Sequence, residues 1–373
     1  RLLQAVLLLS GMIIGVGMFA IPFLFVQSGF WSGVVELIIL SLVVTALHLL
    51  YGEIVLATPE FHRMPGYVRK YLGHAAAKIS WATTLFGTVG TLLAYLIVGV
   101  IFLQTILRHA AVGADVSFFA IVLVCIVGLI TFFPIKKESA INGILTIFEI
   151  AFIAGVSLLL LPGVSLQNFS GMHPRDLFVP YGVLLFALTG ASVIPDLITI
   201  LGRNKARVRT AIIAGSLIPA VLYLLFAFAV VGVSGEETSA EAIAGLQQAL
   251  GGNIALWASV AGFLAVLTSF VALSANFQAL LSLDLAMPRR FAWLVASAAP
   301  LIFYFAGFKN FIAIASIVGV VAFGVDGLLF LLMGRKVRQR QHNRSPVMAL
   351  ISYAILAVTI VGVVAELLRV LVK

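Results

Sequence analysis

The sequence predicts an all-α protein that crosses a membrane about eleven times. Hydrophobic residues make up 62% of the 373 residues and charged residues only 10%, a balance that a soluble globule of this length does not show. Long apolar runs recur between charged or Pro/Gly-rich breaks, and each approaches the roughly 20 residues that a helix needs to cross a hydrocarbon core. Transmembrane strands would instead show segments of about 10 residues with alternating polarity. We therefore expect helices, which satisfy their own backbone polar groups in lipid.

The apolar runs define the predicted spans in chain order. The first run is too long for a cleavable signal peptide and is interpreted as a retained helix. The eleven spans are residues 2–28, 31–57, 79–107, 115–134, 140–161, 178–201, 208–233, 254–283, 291–307, 311–333 and 346–370.

Two connecting segments carry patterns of their own. Residues 58–78 place apolar side chains at helical spacing with bases between them, which predicts either a helix lying in the membrane interface or an ordinary connecting helix. Residues 236–252 are acidic and contain no Lys or Arg. This segment is interpreted either as a lid over an entrance or as a solvated loop helix.

The distribution of basic residues predicts the orientation of the chain. With the N-terminus inside, 18 of the 23 Lys and Arg residues fall in segments on the inner side, as short basic loops resist translocation. We expect a cytoplasmic N-terminus in a plasma (inner) membrane. The net charge of +9 comes from basic residues in these short loops and reflects topology. No nucleic-acid partner is therefore predicted. A single cysteine excludes a disulfide framework and a cysteine-based metal site.

Two spans contain residues that interrupt a helix in mid-membrane. The first span carries Gly11, Gly15 and Gly17 before Pro22, and glycine and proline both weaken helices. The sixth span repeats the pattern Gly-x-x-x-Ile-Pro, ending at Pro195, 173 residues after the first. Unpaired backbone groups persist in a membrane only where they line a cavity or meet a ligand, and paired interruptions indicate a transporter's binding site. Kinks or close helix packing are the alternative for either span alone.

The motif Gly15-x-Gly17-x-x-Ala20 formally fits a dinucleotide fingerprint. That fingerprint requires a preceding strand and a continuing helix. Here the surrounding run is predicted to be transmembrane and Pro22 follows the motif at once, so neither requirement is met.

Hydroxyl and carboxyl groups within the spans supply further candidates. In the eighth span, Thr268 and Ser269 follow Ala265 by one turn, and their oxygens suit a bare monovalent cation unless they bond to their own backbone. Three acids at membrane depth, Glu149, Asp196 and Asp326, are candidates for gating or proton transfer. Pairing with a nearby Arg or Lys is the alternative for each acid.

These residues resemble a known family. The run 11–23, the segment Gln27-Ser28-Gly29-Phe30, the interruption at 186–195 and the span pattern are similar to those of amino acid permeases of the aromatic and hydroxy amino acid type. That family belongs to the amino acid-polyamine-organocation superfamily and has the LeuT-type fold. The resemblance covers essentially the whole chain. It implies one transmembrane domain, 1–373, with discontinuous first and sixth helices. A five-plus-five inverted repeat would occupy 1–163 and 177–338, followed by an extra helix at 346–371.

The resemblance also implies site residues. The amides of Val16 and Gly17 would face a substrate carboxylate, and a mid-span residue of the third helix would contact the substrate. In the sodium-coupled branch, two carbonyls of the first helix and an Ala-x-x-Thr-Ser segment of the eighth hold a cation. The implied substrate site is Gly15, Val16, Gly17, Tyr95, Phe186, Thr189, Gly190 and Ser192, and the implied sodium site is Gly11, Ile14, Ala265, Thr268 and Ser269.

The expected function is secondary active transport of an amino acid by alternating access. No lysine occurs in the fifth span, where some proton-coupled relatives have one, and this favours sodium over a proton as the coupling ion. No other cofactor is expected, and the partners are the amino acid and the lipid bilayer. Oligomeric state does not follow from the sequence.

Two alternatives of other classes remain open at this stage. An embedded enzyme would need a reactive cluster, yet the zinc-protease, nucleophile-elbow and phosphate-loop motifs are missing, and the six histidines are assigned to loops or their edges. A receptor or scaffold that has kept a transporter fold without transport is the second alternative.

Overall fold

The computed structural model describes residues 1–109, 115–133, 138–169, 171–172, 176–243 and 252–340, together with positions 357, 360–362 and 364. All regular structure in these residues is helical. The eleventh predicted span, 346–370, lies outside the described residues except for those last positions. The helices in chain order are α1 Leu2–Ile13, α2 Ile21–Ser28, α3 Phe30–Ala57, α4 Met64–Leu72, α5 His74–His109, α6 Val116–Phe132, α7 Glu138–Leu160, α8 Tyr181–Leu188, α9 Ile194–Leu201, α10 Lys205–Ser234, α11 Gly252–Ala279, α12 Arg289–Phe305, α13 Phe311–Val318 and α14 Gly324–Arg340.

The first ten predicted spans coincide with these helices. Within the described part of the chain, seven helices are long and apolar enough to cross a membrane, or eight if α1 and the bent segment after it count as one span. Helices α6 and α12 are shorter, at 17 residues each. A π-helical turn, Gly319–Phe323, joins α13 to α14, so the tenth span is one bulged helix. The predicted all-α polytopic architecture is therefore confirmed.

Both predicted interruptions are real, and they have the same local form. In the first break, residues 14–20, Ile14 and Gly15 are extended and a 3₁₀ turn follows before α2. In the second break, residues 189–193, Thr189 leaves the helix and a 3₁₀ turn precedes α9. The chain bends by 51° at the first break. Each second half-helix begins with Ile-Pro, where proline's missing N–H costs no hydrogen bond.

The connecting segments are only partly as expected. Helix α4 lies in the predicted amphipathic segment, and its Tyr67, Val68 and Tyr71 are buried while Arg69 and Lys70 are exposed. It packs on α5 and α14, so its apolar face is buried against the protein. This is the arrangement expected of a connecting helix. The acidic segment begins with a 3₁₀ turn, Gly235–Glu237, and residues 244–251 lie outside the described residues.

The helices form two groups that meet around the breaks. One group contains α1, α2 and α3 with α8, α9 and α10, and the other contains α5, α6, α11 and α12. Helix α7 contacts α1 and α10 of the first group and α11 of the second. The breaks therefore lie where the two groups face each other. The division into repeats at 1–163 and 177–338 stays a prediction.

Candidate functional site

A cavity of about 280 Å³ lies between the two groups of helices. Both breaks line it, and so do α5, α7, α11 and the tenth span. Arg63, Met64 and Pro65 at the start of α4 also line it, so the cavity extends to the side of the membrane that carries α4, here called the α4 side.

Aromatic side chains pack on the side of the breaks that faces away from α4. Phe19, Phe102 and Phe226 are each no more than 2% exposed. The ring of Phe19 meets Phe102 edge-on at 5.0 Å and Phe226 at 6.2 Å between centroids. The three residues are here called the aromatic plug, and the structure is open to the α4 side and closed on the other.

The two breaks contact each other directly. A methyl group added at Gly17 would lie 2.9 Å from Cβ of Ala187 and 2.9 Å from the ring of Phe186, so the first break packs against the end of α8. Tyr223 of α10 ties both together, because its hydroxyl lies 2.7 Å from the Ile13 carbonyl and 3.1 Å from the Ala187 carbonyl. These carbonyls belong to the last turns of α1 and α8, where helices leave acceptors unpaired.

His48 holds the second break from α3. The Gly190 amide donates to Nε2 of His48 at 3.2 Å, and Nδ1 lies 2.9 Å from the Ser216 hydroxyl of α10. Since Nε2 accepts, a neutral ring carries its proton on Nδ1 and donates to Ser216. His48 is 1% exposed and lies inside α3, so the assignment of all histidines to loops or their edges was wrong.

Several of the predicted residues meet at the first break around a second, much smaller cavity. Its volume is about 10 Å³, and Ile14, Ala265, Ser269 and Glu149 line it together with Tyr95. A volume near 10 Å³ is at the lower limit for one water molecule, so the cavity has room for no more than one water molecule or one small ion. The Ser269 hydroxyl donates to the Glu149 carboxylate at 2.5 Å. The fifth span thus brings a carboxyl group to the place where the eighth span meets the first.

Neighbouring groups complete this cluster. The Tyr95 hydroxyl lies against Gly15, where it would collide with an added methyl group, and the Tyr95 ring stacks on Phe270. The Thr268 hydroxyl donates to the Ala265 carbonyl at 2.9 Å within α11. The alternative expected from sequence, a hydroxyl bonded to the backbone of its own helix, therefore applies to Thr268 but not to Ser269.

The structure brings all the sequence-predicted residues to these two cavities. Ile14 and Ala265 line the small cavity, and the other residues line the large one. Glu149 is 4% exposed, whereas Asp196 is exposed to the cavity from the first turn of α9. Their roles stay predictions. The residues lining the large cavity are Gly11, Gly15, Val16, Gly17, Tyr95, Glu149, Phe186, Thr189, Gly190, Ser192, Asp196, Thr268, Ser269 and Asp326.

A bundle of membrane helices with two opposed breaks around a central cavity defines the class of secondary transporters with the LeuT-type fold. The tryptophan/tyrosine permease family matches residues 1–369, and the chain belongs to that family. It is also similar to glutamine transporter 2 of Aliivibrio fischeri, at 25% identity over 280 residues that cover 73% of this chain and 72% of the relative.

Solved structures confirm the fold. MhsT in complex with L-phenylalanine has a TM-score of 0.68 at 15% identity and covers 99% of this chain and 98% of its own. Mhp1, a nucleobase-cation-symport-1 family transporter with bromovinylhydantoin bound, gives 0.69 at 16% identity, with 99% and 90% covered. The Eremococcus coleocola manganese transporter gives 0.71 at 14% identity, with 98% and 85% covered. The chain is therefore a multi-pass amino acid transporter and not an enzyme.

Proposed function

We propose that this protein carries a zwitterionic amino acid across the membrane in symport with a monovalent cation. The observation that carries the proposal is the contact of the two breaks at the cavity, with Gly17 against Ala187 and both tied to Tyr223. Broken helices leave amides that suit a carboxylate and carbonyls that suit a cation. Rocking of one group of helices against the other would expose the site to each side in turn.

The substrate's backbone is assigned to the first break. The Val16 and Gly17 amides would receive the carboxylate, and Tyr95 would contact it from α5, since its hydroxyl lies against Gly15 of the same break. Phe186, Thr189, Gly190 and Ser192 would flank the side chain. Phe186 lies 6.2 Å from Phe323 between ring centroids, which gives that part of the cavity an aromatic wall suited to an apolar or aromatic side chain. The family and the relative point to tryptophan, tyrosine and glutamine as the substrates to test first.

Sodium is the first candidate for the coupling ion. The carbonyls of Gly11 and Ile14, the carbonyl of Ala265 and the hydroxyls of Thr268 and Ser269 would supply five oxygen ligands. The small cavity between Ile14, Ala265 and Ser269 supports this assignment.

A proton is the second candidate, and Glu149 favours it. Its carboxyl group is buried beside the first break and bonded to Ser269. A buried carboxyl group at membrane depth is costly unless it serves ion or proton movement. The fifth span lacks lysine but carries this acid, so the absence of lysine alone does not decide between the two ions.

The cytoplasmic N-terminus and the plasma membrane belong to the same proposal. The bases of α4, the α9–α10 connection and α14 would then face the cytoplasm, and the cavity would be open to the cytoplasm in this structure.

Uptake into proteoliposomes tests the proposal. Thermal-shift screening against the twenty amino acids first selects the substrate, and its radiolabelled form is then supplied with an inward sodium gradient, an inward proton gradient or neither. Accumulation under one gradient identifies the ion. Equal uptake under all three conditions would overturn the coupling proposal, and binding without any uptake would favour the receptor alternative.

A further inference from the structure

The α4 side of the cavity has a wall of hydrogen-bond acceptors on α5. Thr83, Thr84, Thr88 and Thr91 line it. Thr88 and Thr91 each donate their hydroxyl proton to a carbonyl of their own helix, at 2.8 and 2.7 Å. Their remaining lone pairs are acceptors, so this wall suits a ligand that donates hydrogen bonds or carries positive charge.

Asp326 and Tyr51 add a carboxylate and a phenol hydroxyl at the end of this wall. Thr83 lies 3.1 Å from a carboxylate oxygen of Asp326, and a carboxylate accepts about four hydrogen bonds. The Tyr51 hydroxyl is buried and has no hydrogen-bond partner among the residues that the structure describes. Its ring is fixed by stacking on Phe330 at 4.5 Å and by an edge contact with Tyr67 at 5.8 Å. Tyr51 lines the same cavity as Asp326 and Thr83.

The charge of the cavity favours a cation. Three acids line its described wall, Glu149, Asp196 and Asp326, against one base, Arg63. Arg63 is paired with Asp284 at 2.9 Å. A cleft lined by one sign of charge concentrates ions of the opposite sign.

Thr83 of this group is too far from the first break to contact the backbone of an amino acid held there. Thr83 and Tyr95 lie on the same helix, 12 residues apart, which corresponds to about 18 Å along its axis. An amino acid held at the first break is shorter than this distance.

We propose that Tyr51, Thr83 and Asp326 form a second site, which accepts a monovalent cation on the path between the breaks and the α4 side. The cation is either the α-ammonium group of the amino acid in transit or an alkali ion. The site goes beyond the proposed function, since coupling at the first break does not require it.

Cation binding to the reconstituted protein tests this site directly. Radiolabelled methylammonium and radiolabelled sodium are the probes, measured without amino acid in the Glu149→Gln, Ser269→Ala background. This background removes the acid and one of the proposed sodium ligands at the first break. We expect saturable binding of at least one probe, weakened at least tenfold by Asp326→Asn and about threefold by Tyr51→Phe. Binding of methylammonium would indicate the ammonium group, and binding of sodium alone would indicate an alkali ion.

Matched variants keep the result interpretable. Glu53→Gln removes a carboxylate from α3 that pairs with Arg338 at 3.6 Å and does not line the cavity, so it should leave probe binding unchanged. Tyr51→Phe deletes one oxygen and keeps the ring, which covers the case in which Asp326→Asn fails to fold. Undiminished probe affinity in a folded Asp326→Asn or Tyr51→Phe protein would overturn the site, as would the absence of saturable binding. Gradient-driven uptake by the unmodified protein is a separate measurement, so the two proposals fail independently.

Discussion

Ser269 of α11 donates a 2.5 Å hydrogen bond to the carboxylate of Glu149 on α7. The pair joins the eighth span to the fifth beside the first break, where Ile14 and Ala265 line the same small cavity. A coupling ion at this position would contact residues of three spans at once: the first, the fifth and the eighth.

Glu149→Gln should separate coupling from substrate binding. Glutamine keeps the shape of glutamate and an acceptor for Ser269, but it neither carries charge nor releases a proton. We expect gradient-driven accumulation in proteoliposomes to fall at least tenfold, while exchange of internal for external substrate persists. Glu53→Gln is the control. Accumulation by Glu149→Gln at the level of the unmodified protein would contradict a coupling role.

Thr268→Ala and Ser269→Ala distinguish the two candidate ions. A sodium site uses both hydroxyls, so each variant should raise the sodium concentration for half-maximal uptake about tenfold, equivalent to about 1.4 kcal/mol. The measurement is the initial uptake rate against sodium concentration. Uptake that does not depend on sodium and that falls in Ser269→Ala but not in Thr268→Ala would instead assign the coupling to the Ser269–Glu149 pair and to a proton.

Tyr223→Phe should loosen both breaks. The variant removes the hydroxyl that reaches the Ile13 and Ala187 carbonyls, and a buried group left without its partner costs about 1–3 kcal/mol. We expect a lower unfolding temperature and weaker substrate binding, by thermal unfolding and equilibrium binding. Tyr304→Phe on α12, away from the breaks, is the matched control. Unchanged stability and affinity would show that the hydroxyl does not hold the breaks.

Gly17→Ala should force the breaks apart. The added methyl group would meet Ala187 and Phe186 at 2.9 Å, closer than a carbon contact allows. We expect uptake to fall more than tenfold while the protein still inserts and purifies as one species. Gly155→Ala on α7, where the added methyl meets nothing within 4 Å, should transport normally. Normal transport by Gly17→Ala would mean that the close packing of the breaks is dispensable.

The sequence predicted those features that have a local chemical cause. Gly15, Gly17 and the Ile-Pro pairs disfavour continuous helix wherever they occur, so both breaks were found from residue type and spacing alone. Glu149 is a candidate from sequence alone because an acid in an apolar run is conspicuous. Its contact with Ser269, 120 residues away, was not predicted, because a pairing of that kind leaves no periodic signal.

His48 and Tyr223 were missed for the same reason. Each is one polar or aromatic residue within a long span, and its partners at the breaks are 142 and 210 residues distant in sequence. A histidine in the middle of an apolar run was the one local signal, since a buried imidazole requires partners for its two nitrogens. Tyr51 gave no such signal, because tyrosine is common in membrane helices.

The aromatic plug has a consequence for the energetics of the cell. The side chains of Phe19, Phe102 and Phe226 are apolar and buried, so we expect them to block an ion that reaches the breaks from the α4 side. In this conformation we expect no ion current through the protein, so the membrane gradient would be preserved between transport cycles.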